Sequence, residues 1–281
     1  MLSVNGIIQI ALPILYGSLV VCGLLAFFKN AVTEKILYRL TIAVALIHVA
    51  YIGSYTVQTG HCLLTTASEI FSLISFTMMT TYIIVELRPV GSKAGTGLMV
   101  MLVAFVFQLF SSLVTKGVNV ASINPIFLDP AFNVHVATIV FGYAALTLST
   151  IYGSLYLLLY RAMKRNQFGA VFQQLPSLSR LEKYGIRTLA AGFVFLSISI
   201  AFGLILIRRS FSPEEAQSYL TDPKTIATIL IWFVFGATLL VRKLMHVEGR
   251  KIVVLWMAGY ALTLVSSTII NAFGTEYHHF L

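Results

Sequence analysis

The sequence predicts an all-α polytopic membrane protein with eight transmembrane helices, and three observations carry that expectation. Of 281 residues, 58% are hydrophobic and only 10% are charged, against about 25% charged in an ordinary soluble domain. The apolar residues fall in unbroken blocks of roughly 20, the length of a helix crossing a ~30 Å hydrocarbon core. The charged residues flank these blocks instead of gathering in one patch. A membrane β-barrel would alternate apolar and polar residues over ~10 positions. Continuous runs of twice that length call for helices, which satisfy their own backbone groups in lipid. The net charge of +9 is dispersed among the block ends, which argues against nucleic acid as a partner.

The spans follow in order. The first, 7–28, starts at once without a basic leader, so it reads as a retained helix and not a cleaved signal peptide. Lys29 and Lys35 bracket the turn into the second, 36–57. A short polar loop leads to the third, 63–85, and "RPVGSK" to the fourth, 96–115. The fifth is 133–160, the sixth 185–207, the seventh 225–241 and the eighth 252–273. No internal repeat interrupts them, and residues 1–281 read as one integral-membrane domain. The connection 161–184 contains "QLPSLSRLEKYG". There Ser177 or Ser179 is placed to cap a short surface helix with Glu182 in its first turn. Segments 116–132 and 208–224 both contain Pro and Asp and read as ordered loops or short surface helices.

Eight spans leave both termini on one side. Fifteen of the 19 Lys and Arg residues fall on one set of loops; Lys116, Arg208, Arg209 and Lys224 fall on the other. Cytoplasmic loops carry the positive excess, so both termini face outward, as expected for a bacterial inner (plasma) membrane protein. Cys22 and Cys62 then lie toward opposite faces, which argues against a mutual disulfide.

This topology sorts the six histidines. His61, His135, His278 and His279 lie at the outer face, His48 inside the second span and His246 on the cytoplasmic side. Each has a plain reading: His61 as a loop residue, His48 as an interhelical hydrogen-bonding group, His246 as a solvated turn residue, His279 as a terminal spectator. A histidine in or near lipid is also a functional candidate. His135 and His278 stand at one level at the mouths of two spans, and facing imidazoles can hold a haem iron from both sides. Zinc would want three or four ligands, and only Cys62, Asp129 and Glu276 could complete such a set. Glu69 lies near the outer start of the third span, where the helix dipole favours a carboxylate.

Four stretches resemble the cytochrome c assembly proteins of the haem-handling group: "NVHVATIVFGYAALTLSTIYGSLYLLLYR" (133–161), "LPSLSRLEKYGIRTLAAGFVFLSISIAFG" (175–203), "YLTDPKTIATILIWFVFGATLLVR" (219–242) and "GRKIVVLWMAGYALTLVSSTIINAF" (249–273). The resemblance implies haem b, bound or carried, ligated by two outer histidines, here His135 and His278 or its neighbour His279. It implies an outer aromatic loop at 208–224, ending in Tyr219, Asp222, Pro223 and Lys224. Aromatic rings suit a porphyrin face, and Arg208, Arg209 and Lys224 suit its propionates. His48 is a further candidate haem-binding residue. Implied partners are haem, a ResB/CcsB-like membrane protein and apocytochrome c. Where CcsA-type members carry tryptophans in this loop, it has only Phe211 and Tyr219 as aromatics, and Leu240 stands where they carry an inner histidine. That places the chain nearest the HemX/YpjD-like branch, whose HemX members are linked to glutamyl-tRNA reductase in haem biosynthesis. The sequence contains no evident nucleophile or acid–base pair, so the expected role is haem delivery or assembly rather than self-contained catalysis. A transporter reading finds neither inverted repeats nor paired broken spans.

Overall fold

The computed structural model describes residues 4–29, 34–59, 66–85, 94–114 and 129–273. Ten helices lie within them: α1 (Val4–Lys29), α2 (Glu34–Thr59), α3 (Ala67–Val85), α4 (Ala94–Leu113), α5 (Pro130–Lys164), α6 (Ala170–Gln174), α7 (Leu178–Ser210), α8 (Pro213–Thr221), α9 (Pro223–Met245) and α10 (Arg250–Phe273). Among the described residues seven helices, α1 to α5, α7 and α9, are long and apolar enough to cross a membrane, and α10 runs for 24 residues. The molecule is a polytopic helical membrane protein. Large apolar side chains such as Ile14, Leu46 and Phe233 point outward, as lipid contact requires.

The first four long helices pack together. α1 touches α2 and α4, and α3 touches α2 and α4. Polar side chains bridge them. The Tyr16 hydroxyl lies 2.9 Å from His48 Nδ1, His48 Nε2 lies 3.0 Å from Ser72 Oγ, and Ser72 Oγ donates to Gln108 Oε1 at 3.3 Å. One direction satisfies all three: Tyr16 donates to Nδ1, Nε2–H donates to Ser72, and Ser72 donates onward. Burial without partners would be costly for each group, and together they tie α1, α2, α3 and α4 to one register.

The second half is organised by α5 and α7, the most extensively paired helices. Their backbones approach closely at two glycines. A Cβ on Gly192 would lie 2.8 Å from Leu146 and 3.1 Å from the Gly142 carbonyl. Small residues at such crossings let transmembrane backbones pack, where apolar lipid removes the usual hydrophobic drive. Further along, Ser149 Oγ donates to the Gly185 carbonyl at 2.9 Å. α9 and α10 form an antiparallel hairpin against this pair, and Trp256 of α10, 1% exposed, fills the space left at Gly153 and Gly185.

The facing ends of α5 and α7 differ from expectation for one reason. α5 extends to Lys164 and α7 starts at Leu178, so neither stops at its expected span end. The expected separate surface helix after Ser177 does not exist. Ser177 is the N-cap position of α7 itself, without a side-chain cap bond, and the helix runs unbroken through Gly185. Arg, Lys, Leu and Glu are good helix formers, and Gly185 is there to admit Trp256, not to end a helix. α5 stops instead where Asn166 takes a left-handed conformation, φ 54°, a common helix terminator. Glu182, expected to serve a first turn, bridges three elements. Arg242 of α9 donates to its Oε1 at 3.2 Å, and the Gly249 amide donates to its Oε2 at 3.0 Å. The α9–α10 turn that it holds contains two left-handed residues, His246 (φ 51°) and Gly249 (φ 70°), so His246 is a turn residue.

Hydrogen bonds to a charged group contribute about 1.5–3 kcal/mol when partly buried. Glu182→Ala is expected to lower the melting temperature of the purified protein. Glu182→Gln, which keeps an acceptor for Gly249, should fall between it and wild type; equal melting curves for all three would show that the bridge does not hold the turn.

Candidate functional site

The end of the bundle where α5 begins and α7 ends gathers most of the described candidates. α5 starts on Asp129, whose carboxylate accepts from the Ala131 amide at 2.7 Å, with Pro130 in the first turn. This places His135 in the second turn, half-buried against α7. Its Nδ1 lies 2.8 Å from the Ser199 carbonyl and 3.1 Å from Ser199 Oγ. A carbonyl oxygen only accepts, so Nδ1 carries the hydrogen, and in the neutral ring the lone pair sits on Nε2. The Ser199 hydroxyl donates back to the His135 carbonyl at 3.1 Å. Histidines that ligate metals are commonly held through the other ring nitrogen in this way.

Arg208 and Arg209 follow in the last turn of α7 and are exposed. They favour the helix C-terminus electrostatically and leave their guanidinium groups facing outward. α8 then lies between α7 and α9. Phe211 and Tyr219 bracket it with ring centroids 4.4 Å apart. A capping box starts α8: Glu215 Oε2 accepts from the Ser212 amide at 2.9 Å while Ser212 Oγ accepts from the Glu215 amide. The Ser212 amide, and then its hydroxyl, hold the Glu215 carboxyl below its ordinary pKa of 4.5.

Asp222 has a structural task. It is buried at 3% exposure and caps α9, its Oδ1 accepting from the Lys224 amide at 2.8 Å. Asp-Pro thus opens both α5 and α9, a start signal readable as Asp at the N-cap and Pro at the first helical position. Lys224 stands in the first turn of α9, where the helix dipole disfavours a cation. α10 returns antiparallel to α9 and brings the chain back to this end at Phe273. His278 and His279 follow beyond it, outside the described residues, as do His61 and Cys62.

His48 belongs elsewhere: it is fully buried among α1, α2 and α3, with both ring nitrogens engaged. Glu69 is in the first turn of α3, closer to the helix start than the third span's expected boundary suggests. It completes a capping box with Thr66 and accepts from the Tyr55 hydroxyl at 2.6 Å. No cluster of three or more His, Cys, Asp or Glu residues suited to a metal ion occurs among the described residues. Ser199 and its neighbour one turn on, Gly203, are the site residues that sequence reading missed. Their only signal is a pair of small residues four apart within an apolar run, "SISIAFG". Trp232, in α9, is similar: its indole donates to Ser197 Oγ at 2.7 Å and its ring stacks on Phe193.

The fold is thus a helical membrane bundle with a backbone-anchored histidine near the start of α5. Residues 11–278 match the family model described as Cytochrome C assembly protein, and the chain belongs to that family. It is 24% identical to "Cytochrome c biogenesis protein CcsA" of Trieres chinensis over 311 aligned residues, 99% of this chain and 95% of that protein. It is 25% identical to "Protein HemX" of Brevibacillus brevis over 135 residues, 48% of each chain. It is 22% identical to "Inner membrane protein YpjD" of Escherichia coli (strain K12) over 188 residues, 67% of this chain and 69% of that one. The chain thus spans about half of the HemX relative that it matches and nearly all of the CcsA relative.

Because Glu215 is more acidic in folded α8 than in the unfolded chain, its cap contributes fully above the ordinary glutamate pKa and is lost as pH falls through the lowered value. Protection factors of the Ser212 and Glu215 amides, each taken against the intrinsic exchange rate at that pH, are expected to be high at neutral pH and to fall in acid, with Ser212→Ala low at both. A wild-type protection pattern that ignores acid would remove the cap from the description of α8.

Proposed function

We propose that this chain is a haem-handling membrane protein of c-type cytochrome biogenesis, holding haem at the outer membrane face through His135 and one of His278 and His279. The observation that carries the reading is His135 itself, at the mouth of α5, anchored through Nδ1 on a backbone carbonyl with its lone pair on Nε2, the atom that ligates iron. Family membership and a CcsA relative aligned along nearly its whole length support the cytochrome role. The fifteen-to-four division of basic residues supports eight spans with both termini outside, in a bacterial inner membrane. The cargo on this reading is haem b. Arg208, Arg209 and Lys224 would pair with its propionates, and Tyr219 with Phe211 would offer ring surface at its edge. Asp222 contributes by holding the start of α9, and His48 by packing α1 to α3. The chain positions haem; bond formation to apocytochrome thiols belongs to a complex with a ResB/CcsB-like membrane partner.

A second reading, a HemX-type regulator acting on glutamyl-tRNA reductase, draws on the HemX relatives and on the basic end of the bundle around Arg161, Lys164, Arg242 and Arg250. Deletion separates the two: the first expects loss of c-type cytochromes, the second normal cytochromes with altered reductase abundance.

The detergent-purified protein is expected to show a split low-spin spectrum in its reduced form, lost or converted to high spin in His135→Ala. Protein without haem, together with normal cytochrome c maturation in the His135→Ala strain, would overturn the reading.

A further inference from the structure

We infer that Ser199 and Gly203 are the positioning residues of His135, fixing its tautomer and ring plane so that Nε2 is the atom offered to a ligand; this rests on the haem reading above. In an α-helix the carbonyl of residue 199 accepts from the amide of residue 203, which uses one of its two lone pairs. The other accepts from His135 Nδ1 at 2.8 Å. Reaching that carbonyl from the neighbouring helix requires bare backbone one turn on, because side chains tilt toward the helix N-terminus. Gly203 provides it. A Cβ there would lie 2.9 Å from His135 Cε1 and 3.0 Å from Nδ1, so any other residue pushes the ring away from α7.

Glycine inside a helix is less stable than alanine, and Gly203 has ordinary helical backbone. Its presence therefore answers to the imidazole and not to the fold of α7. Ser199 adds direction. Its one hydroxyl hydrogen goes to the His135 carbonyl, leaving an Oγ lone pair toward Nδ1 at 3.1 Å. The Ser199 carbonyl can only accept, so of the two neutral tautomers only the Nδ1–H form makes this bond. Ser199 is 1% exposed, so water does not compete for these bonds. A purely structural tie between α5 and α7 would serve equally with either ring nitrogen in contact; the acceptor set admits one.

The test uses the full-length protein in detergent with two readouts. In ¹⁵N-histidine-labelled protein, the resonance lost in His135→Ala is expected to be Nδ1-protonated; an Nε2-protonated ring overturns the inference directly. In haem titrations, Gly203→Ala is expected to bind about 10- to 100-fold more weakly and to lose the bis-histidine low-spin signature, while its melting temperature stays at or above wild type. Ser199→Ala, which keeps the carbonyl, is expected to weaken binding less, and Ser199→Thr to restore it. It also carries the test should Gly203→Ala not accumulate, wild-type affinity in Ser199→Ala then overturning the inference. Wild-type affinity and spectrum in Gly203→Ala overturn the inference while leaving the haem reading standing. Failure of the wild type itself to bind haem ends the haem reading and this role with it.

Discussion

The close approach of α5 and α7 governs the second half of the molecule. Where Gly142 and Gly192 meet, two long helices come near enough for backbone groups of one to be reached by side chains of the other. Ser149 finds the Gly185 carbonyl on one side of the crossing, and His135 finds the Ser199 carbonyl on the other. A wider separation would leave both carbonyls bonded only within α7 and both side chains without their acceptors. α9 and α10 then add to a surface already set, with Trp256 seated over Gly153 and Gly185.

Polar groups inside the bundle do two different kinds of work. In the first half, Tyr16, His48, Ser72 and the Gln108 carbonyl oxygen form one hydrogen-bonded line across four helices, and the result is registration. In the second half, the Ser199–His135 contacts fix which ring nitrogen carries the hydrogen, and the result is one defined tautomer near the start of α5. Both bring a donor removed from water to an acceptor, as most buried donors require.

Span interiors were legible in the sequence because hydrocarbon thickness imposes its own length on apolar runs. Span ends were not, since nothing compels a helix to stop where lipid does; α5 and α7 continue through Arg161, Lys164 and Glu182 on ordinary helix propensity. His135 was legible as a histidine at the start of an apolar run. Its anchor was not, because Ser199 lies 64 residues away along the chain and a single sequence contains no record of which small residue faces which ring. Asp222 shows the converse. The signal for an N-cap was present in Asp-Pro, the resemblance pointed instead to its place at the end of the aromatic loop, and the structure shows its Oδ1 capping α9.

α7 is one uninterrupted rod from Leu178 to Ser210, pinned near one end at Glu182 and touching His135 near the other. Seventeen residues separate the pin from Ser199, a rise of roughly 25 Å at 1.5 Å per residue. Between these two points α7 is held along α5 at Gly192 and Gly185, so the turn at one end of the bundle and the imidazole near the other are set by one rigid frame.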